Sequence, residues 1–296
     1  ILGQTNILRK FFLILSGAFV FNACTSKPYP IEGGDETAKA PSNSITLIFT
    51  GDVMAHNVNY RMKDYNIIWD DLRDDFKRAD FTFANIEAPV DTTKEASNYP
   101  YFNMPESYVQ AAIDSGINVF SLCNNHSNDQ KLEGVLETIK TTEKLTKQEA
   151  AKHNKVYFSG LRKEKGSAYT YNILEKNGWK ILFLPMTEIL NNEWASDNIN
   201  YIKLTAAARK AFIEHCKKLR EETKCDLFIL SFHAFETEYV RSVTKTQDAF
   251  YRSLLEAGVD VIWANHAHII KDRLVQINPE TKQAKIIMYA NGNTIS

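Results

Sequence analysis

The stretch Gly116-Ile-Asn-Val-Phe-Ser-Leu-Cys-Asn-Asn-His-Ser-Asn-Asp129 decides how the rest of the sequence is interpreted. It begins with a glycine typical of a helix end, continues through the apolar run 117–122, and then brings amides, an imidazole and a carboxylate together. In open α/β sheets the loops at the carboxyl ends of strands form the ligand site. The stretch therefore indicates a site, although its asparagines and aspartate are also typical caps of a helix, here one beginning near Lys131.

The same arrangement recurs after four other apolar stretches. The polar residues that follow them are Asp52 after 45–50, Asn85 and Glu87 after 81–84, His233 after 227–232, and His266 and His268 after 259–264. Carboxylate, amide and imidazole groups form an oxygen and nitrogen ligand set that suits Mn, Fe or Zn. Such groups repel or desolvate one another when packed together unless a cation lies between them. The sequence therefore predicts a metal site.

The composition is that of a globular protein. The 296 residues are 44% hydrophobic and 24% charged, which permits one large domain or two small ones. A net charge of -1 and the lack of any long basic run argue against nucleic acid as the principal partner. Cys123, Cys216 and Cys225 form no CxxC or zinc spacing, so a bound metal is expected on oxygen and nitrogen.

Helical patterns alternate with the strands. Apolar residues recur at helical spacing in several segments, among them Ile68, Leu72 and Phe76, and Leu132, Val135, Leu136 and Ile139. This alternation predicts an α/β domain with a largely parallel sheet. The stretches 169–174 and 179–184, joined by a short turn containing Gly178, instead predict a hairpin and hence a mixed sheet.

Residues 1–23 are predicted to be an export signal, because two basic residues precede the apolar run 11–21 and a small residue precedes Cys24. This cysteine is typical of a bacterial lipoprotein signal, which is cut before the cysteine that carries the lipid; an ordinary signal cut nearby is the alternative. Residues 24–43 are interpreted as a flexible tether and residues 44–296 as the folded domain. We expect a protein exported to the bacterial cell envelope and anchored in the membrane. Because the sequence stops just after a strand, the domain is expected to be truncated at its C-terminus.

The order of these motifs resembles the CapA-like capsule or poly-γ-glutamate synthesis proteins (PGA_cap type), relatives of the calcineurin-like metallophosphoesterases. The resemblance covers roughly residues 45–293. The segments that carry it are Gly51-Asp-Val-Met54, Ala84-Asn-Ile-Glu87, Asn124-Asn-His-Ser-Asn-Asp129, His233 with Glu238-Tyr239, Gly258-Val-Asp-Val-Ile-Trp-Ala-Asn-His-Ala-His268 and Tyr289-Ala-Asn-Gly-Asn293. The fold that it implies is α/β with a sandwich of two β-sheets flanked by helices, a metallophosphoesterase-like α/β/β/α arrangement with the site at one edge.

Three segments depart from the family pattern. The run His233-Ala-Phe-Glu-Thr-Glu-Tyr239 is one residue longer than the family's, so either Glu236 or Glu238 takes the role of the family's glutamate. The family's Gly-His-His-Pro-His is Ala264-Asn-His-Ala-His268 here, and its terminal Tyr-Ser-Leu-Gly-Asn is Tyr289-Ala-Asn-Gly-Asn293.

The resemblance also implies roles for individual residues. The implied metal ligands are Asp52, Glu87 as the bridging carboxylate, Asn125, His233, His266 and His268. His126 would be the general acid, and Asn85, Glu238 and Asn293 would face the substrate. His266 and His268 lie two residues apart, so on an extended segment both would point to one side. His56, soon after Asp52, is better explained as a solvated residue at a helix start.

The implied cofactor is a pair of divalent ions, Mn, Fe or Zn, which would activate water for hydrolysis. His126 would protonate the leaving group. The substrate would be a phosphoester or an amide in an anionic envelope polymer, and the expected role lies in capsule or poly-γ-glutamate biosynthesis or export. A non-catalytic scaffold or polymer-binding component remains the alternative, because Met54 stands where the phosphoesterase pattern Asp-x-His has its histidine.

Overall fold

The computed structural model describes residues 18–22 and 44–296, which form two packed sheets with helices on both outer faces. The strands of the first sheet are β1 (Ala18–Asn22), β2 (Ser44–Val53), β3 (Phe81–Ile86), β4 (Val119–Ser121), β5 (Tyr157–Ser159) and β12 (Asn293–Ile295). Those of the second are β6 (Asn172–Lys176), β7 (Trp179–Thr187), β8 (Leu227–His233), β9 (Val261–Asn265), β10 (Arg273–Ile277) and β11 (Ala284–Met288). The predicted mixed α/β sandwich is confirmed.

The helices fill the connections between these strands. They are α1 (Asn57–Tyr60), α2 (Arg73–Arg78), α3 (Glu106–Asp114), α4 (Lys131–Ala151), α5 (Ala206–Thr223) and α6 (Lys245–Glu256), with short 3-10 turns at Tyr65–Trp69 and Ser196–Asn198. Within the described ranges, no helix combines the length and the apolarity needed to cross a membrane. The predicted signal peptide, tether and Cys24 lie outside the described residues, except that residues 18–22 form β1.

Parallel pairing dominates both sheets. The first has the order β1-β2-β3-β4-β5 with β12 also beside β2, and the second has the order β10-β11-β9-β8-β7-β6. β2 to β5 and β12 run parallel in the first sheet, as do β7, β8, β9 and β11 in the second. The antiparallel pair β6–β7 confirms the predicted hairpin. Because parallel strands share one carboxyl-end edge, this topology gathers the loops after β2, β3, β4, β8 and β9.

Three apolar cores explain why the sequences of the central strands are continuously apolar and do not alternate between apolar and polar residues. In β8, Leu227 and Ile229 belong to the core between the two sheets, whereas Phe228, Leu230 and Phe232 belong to the core beneath α5 and α6. The third core lies between the first sheet and the helices on its outer face. Each central strand is thus covered on both faces, as the α/β/β/α layering requires.

Two helical predictions needed correction. The spacing of Ile68, Leu72 and Phe76 predicted one helix, but the chain forms the 3-10 turn Tyr65–Trp69 and then α2. In α4, Leu132 and Leu136 are 42% and 38% exposed, while Thr138 and Thr142 are buried in their place. Each of these threonine hydroxyls donates to the carbonyl four residues earlier, so a polar residue type fills an apolar face.

The chain closes on itself where β12 meets β2. The Gly292 carbonyl accepts a hydrogen bond from the Asp52 N–H at 2.9 Å. A Cβ on Gly51 would lie 1.8 Å from that carbonyl oxygen, so only glycine allows this approach. The Asn291 amide donates to the carbonyls of Phe49 and Thr50 at 3.2 and 3.0 Å. This segment ties the second sheet to the first directly beside Asp52.

Candidate metal centre

The polar residues predicted at the five strand ends come together at one edge of the sandwich. The first sheet supplies carboxylates and amides, and the second supplies imidazoles. The metal ligands implied by the sequence are all buried or nearly so: Asp52, Glu87 and Asn125 from the first sheet, and His233, His266 and His268 from the second. The cluster therefore forms only where the two sheets meet.

Glu87 is the member shared by two groups of close ligand atoms. One group is Glu87, His233 and His266, and the other is Asp52, Glu87 and His268, with the ligand atoms of each group within 4.8 Å of one another. The Glu87 Oε1 atom lies 3.6 Å from His233 Nε2 and 3.8 Å from His268 Nε2. Two adjacent cation positions bridged by one carboxylate fit this arrangement.

Amides hold the ligands in place. The Asn125 Oδ1 atom is 2.8 Å from His233 Nε2, beside the first group. The Asn85 amide donates to Asp52 Oδ1 at 2.8 Å and lies 3.5 Å from Glu87 Oε2. Asn85 is thus buried against the carboxylates that it orients, and its predicted contact with substrate stays a prediction.

Burial within the cluster disfavours the charged forms of several of its members. Burial, and then the nearby Asp52 carboxylate, raise the pKa of Glu87 well above its usual range. Burial lowers the pKa of His233, and burial together with His268 lowers the pKa of His266 to about 4. For His268, burial lowers the pKa, but hydrogen bonding and attraction to Asp52 outweigh it, so the net pKa is raised.

The donor atoms fit divalent metal ions. Within the described part of the chain, Glu87 Oε1 and the Nδ1 atoms of His233 and His266 have no hydrogen-bond partner, although all three side chains are buried. Buried polar atoms normally have partners. Neutral imidazoles, carboxylates and an amide oxygen form the mixed set that Mn, Fe and Zn accept.

His266 and His268 reach the cluster through bends and not through an extended segment. β9 ends at Asn265, and the two histidines have φ angles of 104° and 54°. The expectation that an extended segment carries both histidines was therefore wrong. Both imidazoles nevertheless face the cluster, with ring centroids 5.9 Å apart. Positive φ at residues other than glycine is costly and collects at functional sites.

His126 is buried beside the candidate ligands, between Asp129 and Phe102. Its Nδ1 atom is 2.7 Å from Asp129 Oδ2, which also accepts the Phe102 N–H at 2.9 Å. The Phe102 ring packs edge-on against the imidazole at 4.8 Å. Burial raises the pKa of Asp129, an effect that the hydrogen bond from His126 partly offsets. The carboxylate fixes the orientation of the ring, as an acid-base histidine requires.

The structure distinguishes the two glutamates of the longer loop. Glu236 forms a buried ion pair with Lys271, whereas Glu238 groups with His266 and His268 within 4.8 Å. Of the two glutamates, Glu238 is therefore the one that lies beside the candidate ligands. The Asn293 Oδ1 atom lies 2.7 Å from His268 Nδ1, so it also contacts a ligand directly.

The sequence did not reveal that Asn191 and His56 lie close to the candidate ligands and His126. Asn191 accepts a hydrogen bond from the Asn125 amide at 3.2 Å, and its own amide nitrogen lies 3.3 Å from the His126 ring nitrogens. It follows β7 by four residues, so the search for polar residues after strands would have found it. His56 is half-buried beside Phe102, at 5.0 Å between ring centroids, and caps no helix through its side chain. It lies at the rim of the centre.

A cavity of about 640 Å³ opens at the opposite end of the first sheet, near the start of β3, β4 and β5. Its charged residues include Glu149, which pairs with Lys152 at 2.7 Å. None of the predicted ligands lines this cavity. The predicted ligands therefore lie at the carboxyl-end edge, away from this cavity.

Comparison with known proteins agrees with this geometry. Residues 46–296 match the family described as bacterial capsule synthesis protein PGA_cap. The capsule biosynthesis protein CapA of Bacillus anthracis is 24% identical in an alignment of 272 positions that covers 86% of this chain and 60% of that protein. The PGA biosynthesis protein CapA of Bacillus subtilis (strain 168) is 22% identical, over 89% of this chain and 67% of its own length. The chain thus spans about 60% of the length of the first relative.

Solved structures share the fold. A crystal structure described as a novel phosphatase of Mycoplasma pneumoniae superimposes with a TM-score of 0.50 and 20% identity, covering 84% of this chain and 72% of that one. At this identity the likeness concerns the fold alone. It agrees with the layering of two sheets between helices.

Proposed function

Because the chain belongs to the PGA_cap family of bacterial capsule synthesis proteins, we propose that it is an envelope-associated hydrolase with two divalent metal ions, acting in capsule or poly-γ-glutamate biosynthesis or export. The observation that carries this proposal is the position of Glu87, a buried carboxylate shared by two ligand groups. A single structural ion would need only one of these groups. The substrate and the role in the envelope are parts of the proposal.

Each ligand group would hold one ion. His233, His266 and Asn125 would bind the first, Asp52 and His268 the second, and Glu87 both. When bound, such ions lower the pKa of water and neutralise charge on an oxygen under attack. His126 stands apart from both groups and is oriented by Asp129. It would give its proton to the departing alkoxide or amine.

Metal content is the first test. We expect close to two Mn, Fe or Zn ions per chain by elemental mass spectrometry after each ion has been offered to the purified protein. His266→Ala combined with His268→Ala should abolish binding. His215→Ala is the matched control. This half-buried histidine belongs to α5 and packs against Tyr169, away from the cluster. Unchanged stoichiometry in a folded double variant would refute the metal centre.

Activity assays separate the two substrate classes. Release of phosphate from a generic phosphoester in the presence of Mn²⁺ would identify a phosphatase, and release of glutamate oligomers from poly-γ-glutamate would identify a polymer amidohydrolase. In either case, His126→Ala should lower the rate about 10²–10⁴-fold while the metal stays bound, because general acids contribute that much. A folded His126→Ala variant with full activity would exclude the assigned role.

One observation favours a second candidate, a non-catalytic scaffold that holds a structural ion. Met54, where a phosphoesterase has a histidine, is buried in the core between the first sheet and its helices. It therefore supplies no nitrogen to the group around Asp52. One ion per chain, bound without any hydrolysis in both assays, would support the scaffold over the hydrolase.

Anchorage in the envelope is a separate part of the proposal and rests on the sequence of residues 1–43. A lipid on Cys24 would hold the domain at the membrane through a tether, where an anionic polymer is assembled or exported. The test is fractionation of cells that express the chain with Cys24→Ser. Release of this variant from the membrane is the expected result, and retention would argue against the lipid.

A further inference from the structure

Asn265, the last residue of β9, carries a buried amide that belongs to none of the ligand groups described above. The residue is 2% exposed, and within the described ranges neither its Oδ1 nor its Nδ2 atom has a hydrogen-bond partner. Burying an amide without a hydrogen bond is costly, so native folds normally give such a group a partner. The position of this amide therefore calls for a physical reason.

The alternation of side chains along β9 turns Asn265 towards the first sheet. Trp263, two residues earlier, belongs to the core between the sheets, whereas Ala264 belongs to the core beneath α5 and α6. Trp263 also donates from Nε1 to the Thr50 carbonyl of β2 at 2.8 Å. Because side chains two residues apart on a strand share a face, Asn265 points the same way as Trp263. It lies one step nearer the carboxyl-end edge, where the candidate ligands are.

His233 is the neighbour of Asn265 on the adjacent strand. The two residues are paired in the parallel register of β8 and β9. His233 also faces the first sheet, where its Nε2 atom lies 2.8 Å from Asn125 Oδ1 and 3.6 Å from Glu87 Oε1. Its other ring nitrogen, Nδ1, is buried and has no partner in the described part of the chain. An unpartnered imidazole nitrogen and an unpartnered amide thus share one face of the sheet at paired positions.

The residue on the other side of His233 already uses its polar group. Thr187 of β7 is paired with His233 in the register of β7 and β8. Its hydroxyl donates to the Ile189 carbonyl at 2.7 Å and accepts the Ile189 N–H at 3.1 Å. Of the two side chains that flank His233 in the sheet, Asn265 is therefore the one with both a donor and an acceptor available.

Coordination through Nε2 requires a particular tautomer of His233. An amide oxygen only accepts hydrogen bonds, so the 2.8 Å contact with Asn125 Oδ1 places the proton of the neutral ring on Nε2. A nitrogen that coordinates an ion carries no proton, so Nε2 then releases its proton to water and Nδ1 takes one up. Nδ1 thereby changes from an acceptor into a donor. The Asn265 amide can bond either form, because Nδ2 donates to the bare nitrogen and Oδ1 accepts from the protonated one.

We propose that Asn265 is a positioning residue of the metal centre, which holds His233 in the Nδ1–H tautomer that frees Nε2 for coordination. This inference rests on the proposed function, because it concerns one of the ligands named there. A partner on the second ring nitrogen fixes the orientation of the ring and raises the basicity of the coordinating nitrogen. Asn265 contributes no atom to the ion itself.

The first test is competition for Zn²⁺ between the full chain and a chelating dye. Asn265→Ala and Asn265→Leu should each weaken Zn²⁺ binding about 10–100-fold, the usual effect of losing a residue that orients a ligand. Asn265→Asp should bind Zn²⁺ at least as tightly as the unaltered chain, because a carboxylate also accepts from Nδ1–H. Asn172→Ala is the matched control. Asn172 lies in β6 of the same sheet, two strands from β8, and its Oδ1 atom likewise has no partner among the described residues.

The second test is nitrogen NMR of the histidine rings, with His233→Gln identifying the resonances of His233. We expect the proton on Nδ1 in the Zn²⁺-bound protein and on Nε2 after chelation. In the Zn²⁺-bound protein this Nδ1 proton should resist exchange with water, and Asn265→Ala should make its exchange faster, because the hydrogen bond that protects it is gone.

Three outcomes would overturn the inference while leaving the metal centre intact. These are equal Zn²⁺ affinity of Asn265→Ala and the unaltered chain, binding by Asn265→Asp as weak as that by Asn265→Ala, and a Zn²⁺-bound His233 with its proton on Nε2. A folded, unaltered chain that binds no Zn²⁺ would instead overturn the metal centre and this inference together. The two failures are therefore distinguishable.

Discussion

Glu87 and Glu188 are both buried glutamates that follow a parallel strand, yet the chain treats their charges differently. Arg209 donates to both carboxylate oxygens of Glu188 at 2.7 and 2.8 Å, and the Phe235 N–H donates at 3.1 Å. Burial still raises the pKa of Glu188, but Arg209 opposes that effect. Around Glu87 the neighbouring charges raise the pKa further, and no lysine or arginine of the described residues forms an ion pair with it.

This difference separates a structural carboxylate, Glu188, from a candidate metal ligand, Glu87. A buried charge without a partner costs far more free energy than a paired one. Where the fold needs a buried carboxylate it supplies its own cation, as it also does for Glu236 with Lys271. At Glu87 imidazoles stand where that cation would be, so a metal ion is the natural counter-charge.

The largest expected loss of stability comes from removing the arginine that pairs with Glu188. Arg209→Met leaves Glu188 buried without a cation, and such losses cost about 3–5 kcal/mol of the free energy of unfolding. Arg252→Met, which breaks the exposed pair with Asp248, should cost less than about 1 kcal/mol. Urea denaturation of both variants provides the measurement. Equal stability of the two variants would remove the basis of the comparison.

After metal has been removed with a chelator, the free energy of unfolding should depend on pH through the buried histidines near Glu87. His266 has a pKa of about 4 in the fold, below the ordinary value of 6.5, because burial disfavours its charged form. Its contribution to stability is therefore complete above pH 6.5 and is lost as the pH falls towards 4, by about 3 kcal/mol. His266→Asn, which tolerates positive φ, should lose less stability over this range. Parallel denaturation curves for the two proteins at every pH would contradict the burial of a neutral imidazole.

Metal addition sharpens the comparison directly. An ion at about 100 times its dissociation constant should raise the free energy of unfolding by about 2.7 kcal/mol, since it binds only the folded state. Glu87→Gln should abolish that gain, whereas Glu188→Gln should retain it even if its starting stability is lower. Denaturation with and without Mn²⁺ measures both responses. A retained gain in Glu87→Gln would show that the bridging carboxylate is not a ligand.

The smallest expected effect is that of replacing Asn191, which tests how the Asn125 side chain is oriented beside Glu87 and His233. Its side chain accepts from the Asn125 amide nitrogen and so turns Asn125 Oδ1 towards His233. Asn191→Ala should lower metal affinity about 10–100-fold, the usual effect of losing a residue that orients a ligand. Asn192→Ala is the control, because among residues 44–296 its side-chain oxygen accepts a hydrogen bond from the Trp194 N–H and none from Asn125. Competition with a chelating dye measures both affinities.

The sequence predicted the framework and the residues of the candidate ligand cluster because both leave short-range signals. Continuous apolar runs followed by polar residues located the ends of β2, β3, β4, β8 and β9, and the structure brings those ends together. A sequence pattern could not distinguish Glu238 from Glu236. The distinction depends on the contact between Glu236 and Lys271, which lies 35 residues further along the chain. The left-handed φ angles at His266 and His268 likewise come from tertiary packing and not from residue preference.

Helix faces made of hydroxyl residues were the other gap. The apolar stripe of α4 placed Leu132 and Leu136 inward, whereas Thr138 and Thr142 are buried. A threonine that satisfies its own hydroxyl within the helix behaves as an apolar residue, and a hydrophobicity pattern does not record this. The contact between the Tyr101 and Trp194 rings left no sequence signal either, because the two residues are 93 positions apart and lie in loops.

The closure of β12 against β2 sets when the centre can exist during folding. The Gly51 N–H bonds the Thr294 hydroxyl across 243 residues, next to Asp52. Contacts of such high contact order form late, because the loop that they close loses much conformational entropy. A chain still emerging from the ribosome would carry Asp52 and Glu87 long before His268 and residues 289–295 arrive. Any metal ion held jointly by Asp52, Glu87 and His268 would therefore bind only after folding has finished.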